Sequence, residues 1–253
     1  MLSGTPGAEI QICAAHPAER FSPETADLLS GIAGARVVCV GPPPGADSLE
    51  EVVEAIEAER RSMGIRQWVF WGMSGGSFLG QIYARQYPEV LAGVILASSG
   101  PYFRLTVEDS ECLLCPRYPA WRDKLADAGL LEGSYDKGPT EWQVVDGVGW
   151  VFRRASGAAL LVSPDEPSAA LQQIMPALWA FDARAWLGDV HVPALVMCGT
   201  ADPIVPLVHA RALAALLPRA ELVPIEGAGH IPLTDHRSAV EQAVHGFLAT
   251  CSA

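Results

Sequence analysis

Gly72-Met73-Ser74-Gly75-Gly76 is the stretch that decides how this chain is read. Before it, Gln67–Trp71 is apolar and aromatic after its first residue, as in a strand buried on both faces. After it, Gly75 to Tyr87 reads as a helix stopped by Pro88. A strand turning that sharply into a helix holds the corner residue in a strained conformation with its side chain presented outward. The flanking residues must be small, because a Cβ there would strike neighbouring backbone. The helix start adds unpaired N–H groups and a positive dipole end beside Ser74. Ser74 is therefore a candidate nucleophile, with Gly72 and Gly76 as the glycines of its corner and Gly75 as an amide donor.

Outward from this corner, short apolar runs alternate with longer helical patterns. The runs are Glu9–Ala14, Arg36–Val40, Gln67–Trp71, Val90–Ala97, Ala194–Cys198 and Glu221–Ile225. None alternates with polar residues, so the expectation is a mostly parallel sheet of about six strands with helices on both faces. Ser48-x-x-Glu51 is a capping box opening a helix to about Met63, with Val52, Val53, Ala55 and Ile56 inward. Pro206 to Leu217 and Thr234 to Leu248 read as further helices. Pro42-Pro43-Pro44 is a short loop.

The alternation fails between about Ser99 and Asp189, which hold five of the seven tryptophans (Trp121, Trp142, Trp150, Trp179, Trp186). A structureless loop of that length is implausible in a folded domain. The expectation is a mainly helical cap over 99–189, inserted between two parts of an α/β core, 1–98 and 190–253.

A serine hydroxyl needs a base within hydrogen-bond reach, and an imidazole serves best when a carboxylate holds its other nitrogen. Asp202 follows Ala194–Cys198 through Gly199-Thr200-Ala201, and His230 follows Glu221–Ile225 through Glu226-Gly227-Ala228-Gly229. Both fall at carboxyl ends of strands, the edge where open α/β sheets bind ligands. Taken alone, Asp202 also reads as a helix cap. His191 lies on the far edge, His209, His236 and His245 fall in helical patterns facing solvent, and Asp235 reads as helix-start charge.

Gly72-Met73-Ser74-Gly75-Gly76, Gly199-Thr200-Ala201-Asp202-Pro203-Ile204-Val205-Pro206 and Gly227-Ala228-Gly229-His230 together resemble the three signature segments of the α/β-hydrolase superfamily. The resemblance runs from Glu9 to Leu248, with the cap alike in position only. It implies the α/β-hydrolase fold and a Ser74-His230-Asp202 triad. Members mostly begin with an antiparallel hairpin; eight residues before Glu9–Ala14 are too few for one, so the hairpin is expected to be missing. The family's oxyanion hole takes one donor from the residue after the nucleophile, here Gly75. The other comes from the loop after the first strand, often His-Gly-x. Here that loop is Ala15-His16-Pro17-Ala18, and Pro17 has no N–H. If His16 matches the family's histidine, Ala18 donates; a one-step shift gives His16 instead, and Ala18 is preferred.

The capped branch of the superfamily implies hydrolysis of a small to medium, largely apolar carboxylic ester or related acyl bond. His16, Met73, Trp142, Trp150, Trp179 and Ile204 are candidate pocket residues. The first alternative is a prolyl-aminopeptidase-like peptidase, for which Glu108, Asp109 and Glu111 could hold a substrate ammonium; a solvated acidic surface is their plainer reading. The second is a ligand-binding, weakly catalytic member, favoured only by the altered His16 loop.

Composition trims the remaining classes. At 253 residues with half of them hydrophobic, the chain can bury a large core. A net charge of −12 argues against nucleic-acid partners, since little here would neutralise phosphates. No G-x-G-x-x-G follows a strand and no phosphate-loop motif occurs, so no cofactor is expected. Cys112 and Cys115 form the only C-x-x-C, without the further ligands a metal site needs, and no metal is expected. Met1 to Gly7 lacks a leader pattern, and no apolar stretch of about 18 residues suggests a membrane span. Cys13, Cys39 and Cys198 within apolar runs suit a reducing compartment, so the expected location is cytoplasmic. Scarce lysine with abundant arginine, alanine and glycine suggests a bacterial source.

Overall fold

The computed structural model describes residues 2–3, 10–131, 140–154, 159–163 and 165–251. The first half runs β1 (Leu2–Ser3), β2 (Gln11–Ala15), α1 (Pro23–Ala33), β3 (Arg36–Val40), α2 (Leu49–Ser62), β4 (Trp68–Met73), α3 (Gly75–Gln86) and β5 (Leu91–Ala97). There follow α4 (Leu105–Glu108), α5 (Pro119–Asp127), β6 (Thr140–Val145), β7 (Gly149–Arg154), β8 (Ala159–Ser163) and α6 (Ala169–Ala180). The chain then rejoins the sheet with β9 (Ala194–Gly199), α7 (Leu207–Leu216), β10 (Ala220–Ile225), α8 (Pro232–Asp235) and α9 (Arg237–Cys251).

The six apolar runs form one parallel sheet in the order β3-β2-β4-β5-β9-β10, and β1 adds a two-residue antiparallel edge beside β3. Of the first run, Glu9 lies outside the described residues. Burial on both faces explains the absence of alternation: on β4, Trp68 and Phe70 enter one core while Val69 and Trp71 enter the other. β10 departs from this, with Glu221 and Pro224 exposed, because it is the sheet's edge. Proline is tolerated there since its missing N–H breaks no central ladder.

The capping box forms with a shift. Ser48 Oγ accepts from Glu51 N–H at 3.2 Å, but the Glu51 carboxylate reaches Asp47 N–H rather than its own cap residue. The C-terminal helix is broken, not continuous from Thr234: α8 ends at Asp235, and His236 adopts a non-helical conformation before α9. The side chain of Asp235 lies outside the described residues. Among the described residues between β5 and β9, helices account for more residues than strands, yet β6, β7 and β8 form a three-stranded antiparallel meander that was not foreseen. Among the described residues, no helix is long and apolar enough to cross a membrane.

One polar cluster fixes α3 against α2. Glu57 is 3% exposed and accepts from Arg60 (2.8 Å), Arg61 (2.6 Å) and the Tyr83 hydroxyl (2.7 Å). Arg60 also donates to the carbonyls of Ile65 and Arg66, closing the loop into β4. The Arg60 guanidinium, with Tyr83 and Arg61, holds the Glu57 carboxyl down at about 2 against the opposing effect of burial. A carboxyl depressed when folded adds stability above its unfolded value of about 4.3 and loses it as pH falls toward the folded value. Glu57→Ala leaves a buried guanidinium unpaired, and we expect urea unfolding to report a loss of about 3–5 kcal/mol at pH 7. The difference between wild type and variant should shrink between about pH 4.5 and pH 2. A pH-independent difference would show that the charge of Glu57 contributes nothing.

Candidate active site

Ser74 joins β4 to α3 with φ 51° and ψ −119°, a conformation that costs a non-glycine residue about 1–3 kcal/mol. Its surroundings leave no alternative. A methyl group on Gly72 would stand 2.2 Å from the Gly76 carbonyl oxygen, and one on Gly76 would stand 2.3 Å from the Ala15 oxygen. Ser74 N–H donates to Ala97 O at 2.9 Å. The buried Ser77 hydroxyl bonds Gly72 O (3.0 Å) and Ala97 O (3.1 Å), tying the corner to both strands. Sequence reading missed this role of Ser77, whose only signal was a polar residue on an otherwise buried helix face. Ser98, at the end of β5, also has positive φ, and it donates its N–H to Met197 O at 2.8 Å.

The loops after β9 and β10 are clamped together. A methyl on Gly199 would lie 2.1 Å from Ala228 O and 2.3 Å from Gly229 O, so the loops meet without clearance. Ala201 N–H donates to Ala228 O (3.0 Å), and Gly227 N–H donates to Thr200 Oγ1 (2.9 Å). Asp202, 5% exposed, uses Oδ1 to accept from the amides of Ile204 (2.8 Å) and Val205 (2.9 Å). These amides precede α7, whose N-cap is Pro206, so Asp202 caps a loop turn and not the helix. Its other oxygen, Oδ2, lies 2.9 Å from His230 Nδ1. Cys198 Sγ approaches the same oxygen at 3.9 Å; burial, reinforced by Asp202, pushes this thiol up to about 12 and keeps it protonated.

With Nδ1–H directed at Asp202, His230 keeps Nε2 as a proton acceptor. Among the described residues, no hydrogen bond joins Ser74 Oγ to this ring. Register puts all three residues on one rim of the sheet: Met73 pairs with Ala97, Ala97 with Met197, and Gly199 with Ile225.

The foreseen oxyanion donors differ in availability. Gly75 opens α3, so its N–H has no partner within the helix. The Ala18 N–H is already engaged, donating to His16 Nδ1 at 3.3 Å.

The candidate pocket residues fall into separate groups. Trp142 packs on Phe152 (ring centroids 5.1 Å), and Phe152 leads to Trp179, Phe103 and Phe78 at 6.0 to 6.4 Å between successive rings. Phe78 lies one turn along α3 from Ser74, so this aromatic row joins the insertion to the corner. Trp150 has no ring contact in that row among the described residues. Met73 packs on the core beneath α1 and α9. Ile204 sits in the acid loop, its carbonyl accepting from Cys112 Sγ at 2.7 Å. Cys115 Sγ donates separately to Val107 O at 3.1 Å.

Two histidines read as solvated are half-buried. His209 Nε2 pairs with Asp109 Oδ2 at 2.7 Å across 100 residues, and His236 Nδ1 is buried without a partner among the described residues. Glu108 accepts from the Tyr102 hydroxyl at 2.9 Å, so two of the three insertion carboxylates already have partners.

The model of the alpha/beta hydrolase family matches residues 22–243. A pimeloyl-[acyl-carrier protein] methyl ester esterase from Xanthomonas campestris pv. campestris is 30% identical over 206 residues, 80% of this chain and 77% of that one. A polyketide synthase, ThaQ of Burkholderia thailandensis, is 45% identical over 74 residues, 29% of this chain and 4% of the synthase. An alpha/beta fold family hydrolase from Bacillus anthracis superposes with a TM-score of 0.69 at 16% identity, covering 97% of this chain and 92% of the other.

The clamp between the two loops is directly testable. Gly199→Ala forces a methyl into two carbonyls and should lower the unfolding free energy by about 1–3 kcal/mol. Gly229→Ala enters open space and should leave it unchanged. Equal urea midpoints for the two variants would refute the clamp.

Proposed function

The chain belongs to the alpha/beta hydrolase family, and from that premise we propose that it is a serine esterase working through Ser74, His230 and Asp202. The observation that carries this reading is the 2.9 Å bond from His230 Nδ1 to Asp202 Oδ2, on the rim from which the strained Ser74 projects. In acyl transfer, Ser74 Oγ attacks the ester carbonyl carbon while its proton passes to His230 Nε2. The π electrons of the carbonyl move onto oxygen, where Gly75 N–H receives the oxyanion. Collapse then expels the alcohol, which takes the proton from His230, and water repeats the sequence on the acyl-enzyme. Asp202 holds the ring through Nδ1 and steadies the imidazolium. Serine–histidine bonds in ligand-free enzymes are commonly long and tighten around substrate.

The substrate we propose is a small to medium, largely apolar carboxylic ester. Residues 99–189 act as a cap over the core formed by 1–98 and 190–253, and the aromatic row from Trp142 to Phe78 packs the two together. A cavity of about 190 Å³ beside Pro17, lined by Pro42, Pro43, Pro44, Ala170 and Gln173, offers apolar surface. Ester is preferred to amide because the 30%-identical relative is a methyl ester esterase and because Glu108 and Asp109 are already partnered. Six free cysteines, five of them buried, suit a reducing cytoplasm.

Ser74→Ala should abolish labelling by a fluorophosphonate and hydrolysis of nitrophenyl esters. Asp202→Asn should keep the fold but cut kcat about 10⁴-fold, because the imidazole loses its tautomer control. Labelling that survives Ser74→Ala, or faster cleavage of proline arylamides than of nitrophenyl esters, would overturn this assignment.

A further inference from the structure

An oxyanion hole needs two donors, and in this chain the loop amide preferred for the second place is already engaged. Pro17 lacks an N–H, and the Ala18 N–H is directed at His16 Nδ1, 3.3 Å away. That bond has a consequence for the ring. Nδ1 must carry a lone pair to accept it, so the neutral ring holds its proton on Nε2. Burial favours this neutral form by drawing the His16 pKa down from its ordinary value, while the exposed Glu19 carboxylate, 3.9 Å from Nδ1, opposes it more weakly.

The protonated nitrogen sits against the residue that follows the nucleophile. A methyl built on Gly75 would stand 3.1 Å from His16 Nε2 and 3.2 Å from Pro17 Cγ. Glycine at 75 thus leaves the space that the imidazole edge occupies, beside the amide that opens α3. The loop is held there from below, where Gly76 packs without clearance on Ala15 O.

We infer that His16 is a catalytic residue whose side-chain Nε2–H, in place of a loop amide, gives the second hydrogen bond to the oxyanion. The inference rests on the acyl-transfer reading. It assigns Ala18 a different part, since its amide fixes the tautomer of the donor and does not touch substrate. The altered loop is then a substitution of one donor for another and not a loss of function.

The two ring nitrogens are separable by substitution. His16→Gln places an amide N–H near the Nε2 position but lacks the Nδ1 acceptor; His16→Asn keeps an acceptor for Ala18 and lacks the distal donor. With a nitrophenyl ester and the full chain, His16→Ala and His16→Asn should each lower kcat about 100-fold with KM nearly unchanged. His16→Gln should recover at least roughly tenfold of that loss. Fluorophosphonate labelling rates should follow the same order, because the phosphonyl oxygen occupies the same hole. If His16→Asn matches wild type while His16→Gln matches His16→Ala, the ring is only a brace and the inference fails. It also fails if all three variants stay within about threefold of wild type, a change too small for a lost oxyanion donor. Thermal melts identify a variant that does not fold, and the Asn–Gln comparison decides if only His16→Ala is lost. Ser74→Ala separates the two claims: background turnover there with His16 variants unaffected removes His16 alone. Undiminished turnover in Ser74→Ala, or a wild type with neither turnover nor labelling, removes the acyl-transfer reading and this inference with it.

Discussion

The left-handed backbone at Ser74 is the constraint around which the rest of the molecule is arranged. A residue held at φ 51° relaxes unless neighbours on every side forbid it. Gly72 and Gly76 forbid it by contact with no room for a single methyl, and Ser77 and Ala97 forbid it by hydrogen bonds. None of these contacts is itself strong. They hold because β4 lies in the sheet's interior with both faces covered, and because the Glu57 cluster pins α3 to α2. Local strain is sustained by burial elsewhere.

The same close approach organises the loops around the serine. Gly76 against Ala15 sets the start of the His16 loop, and Gly199 against Ala228 and Gly229 sets the two loops bearing Asp202 and His230. In each case a glycine at or beside a strand end lets backbone meet backbone, and the candidate site residue follows within a few residues. Parallel register then brings these strand ends level. Residues as far apart as 74 and 230 lie on one rim because of strand pairing, not because of any direct attraction between them.

What could be read from the sequence follows from which forces are local. The parallel strands were legible because burial on two faces leaves continuous apolar runs, and the edge strand β10 was the least regular for the complementary reason. That Ser74, Asp202 and His230 follow strand ends was legible because glycines mark each of those ends. The meander β6-β7-β8 was overlooked although Asp146-Gly147, with Gly147 at φ 67°, is a hairpin signal between partly alternating runs. The break at His236 has no proline or glycine to announce it. Partners set by tertiary packing, such as His209 with Asp109 or Tyr83 with Glu57, leave no trace in spacing at all. The tryptophans were correctly noted as a group, but their grouping in sequence did not tell which of them would meet.

The insertion between β5 and β9 is sewn to the acid loop at its near end. Leu113 N–H donates to Pro203 O at 2.6 Å and Cys112 Sγ to Ile204 O at 2.7 Å, while Ile204 N–H in turn holds Asp202. Mechanical load on this part of the insertion is therefore transmitted through two peptide units to the carboxylate. Trimming the molecule to a minimal sheet, with β5 joined directly to β9, would strip those carbonyls of their donors and loosen the aspartate. Whatever engineering seeks to exchange the insertion for another must carry the 112–113 segment along with it.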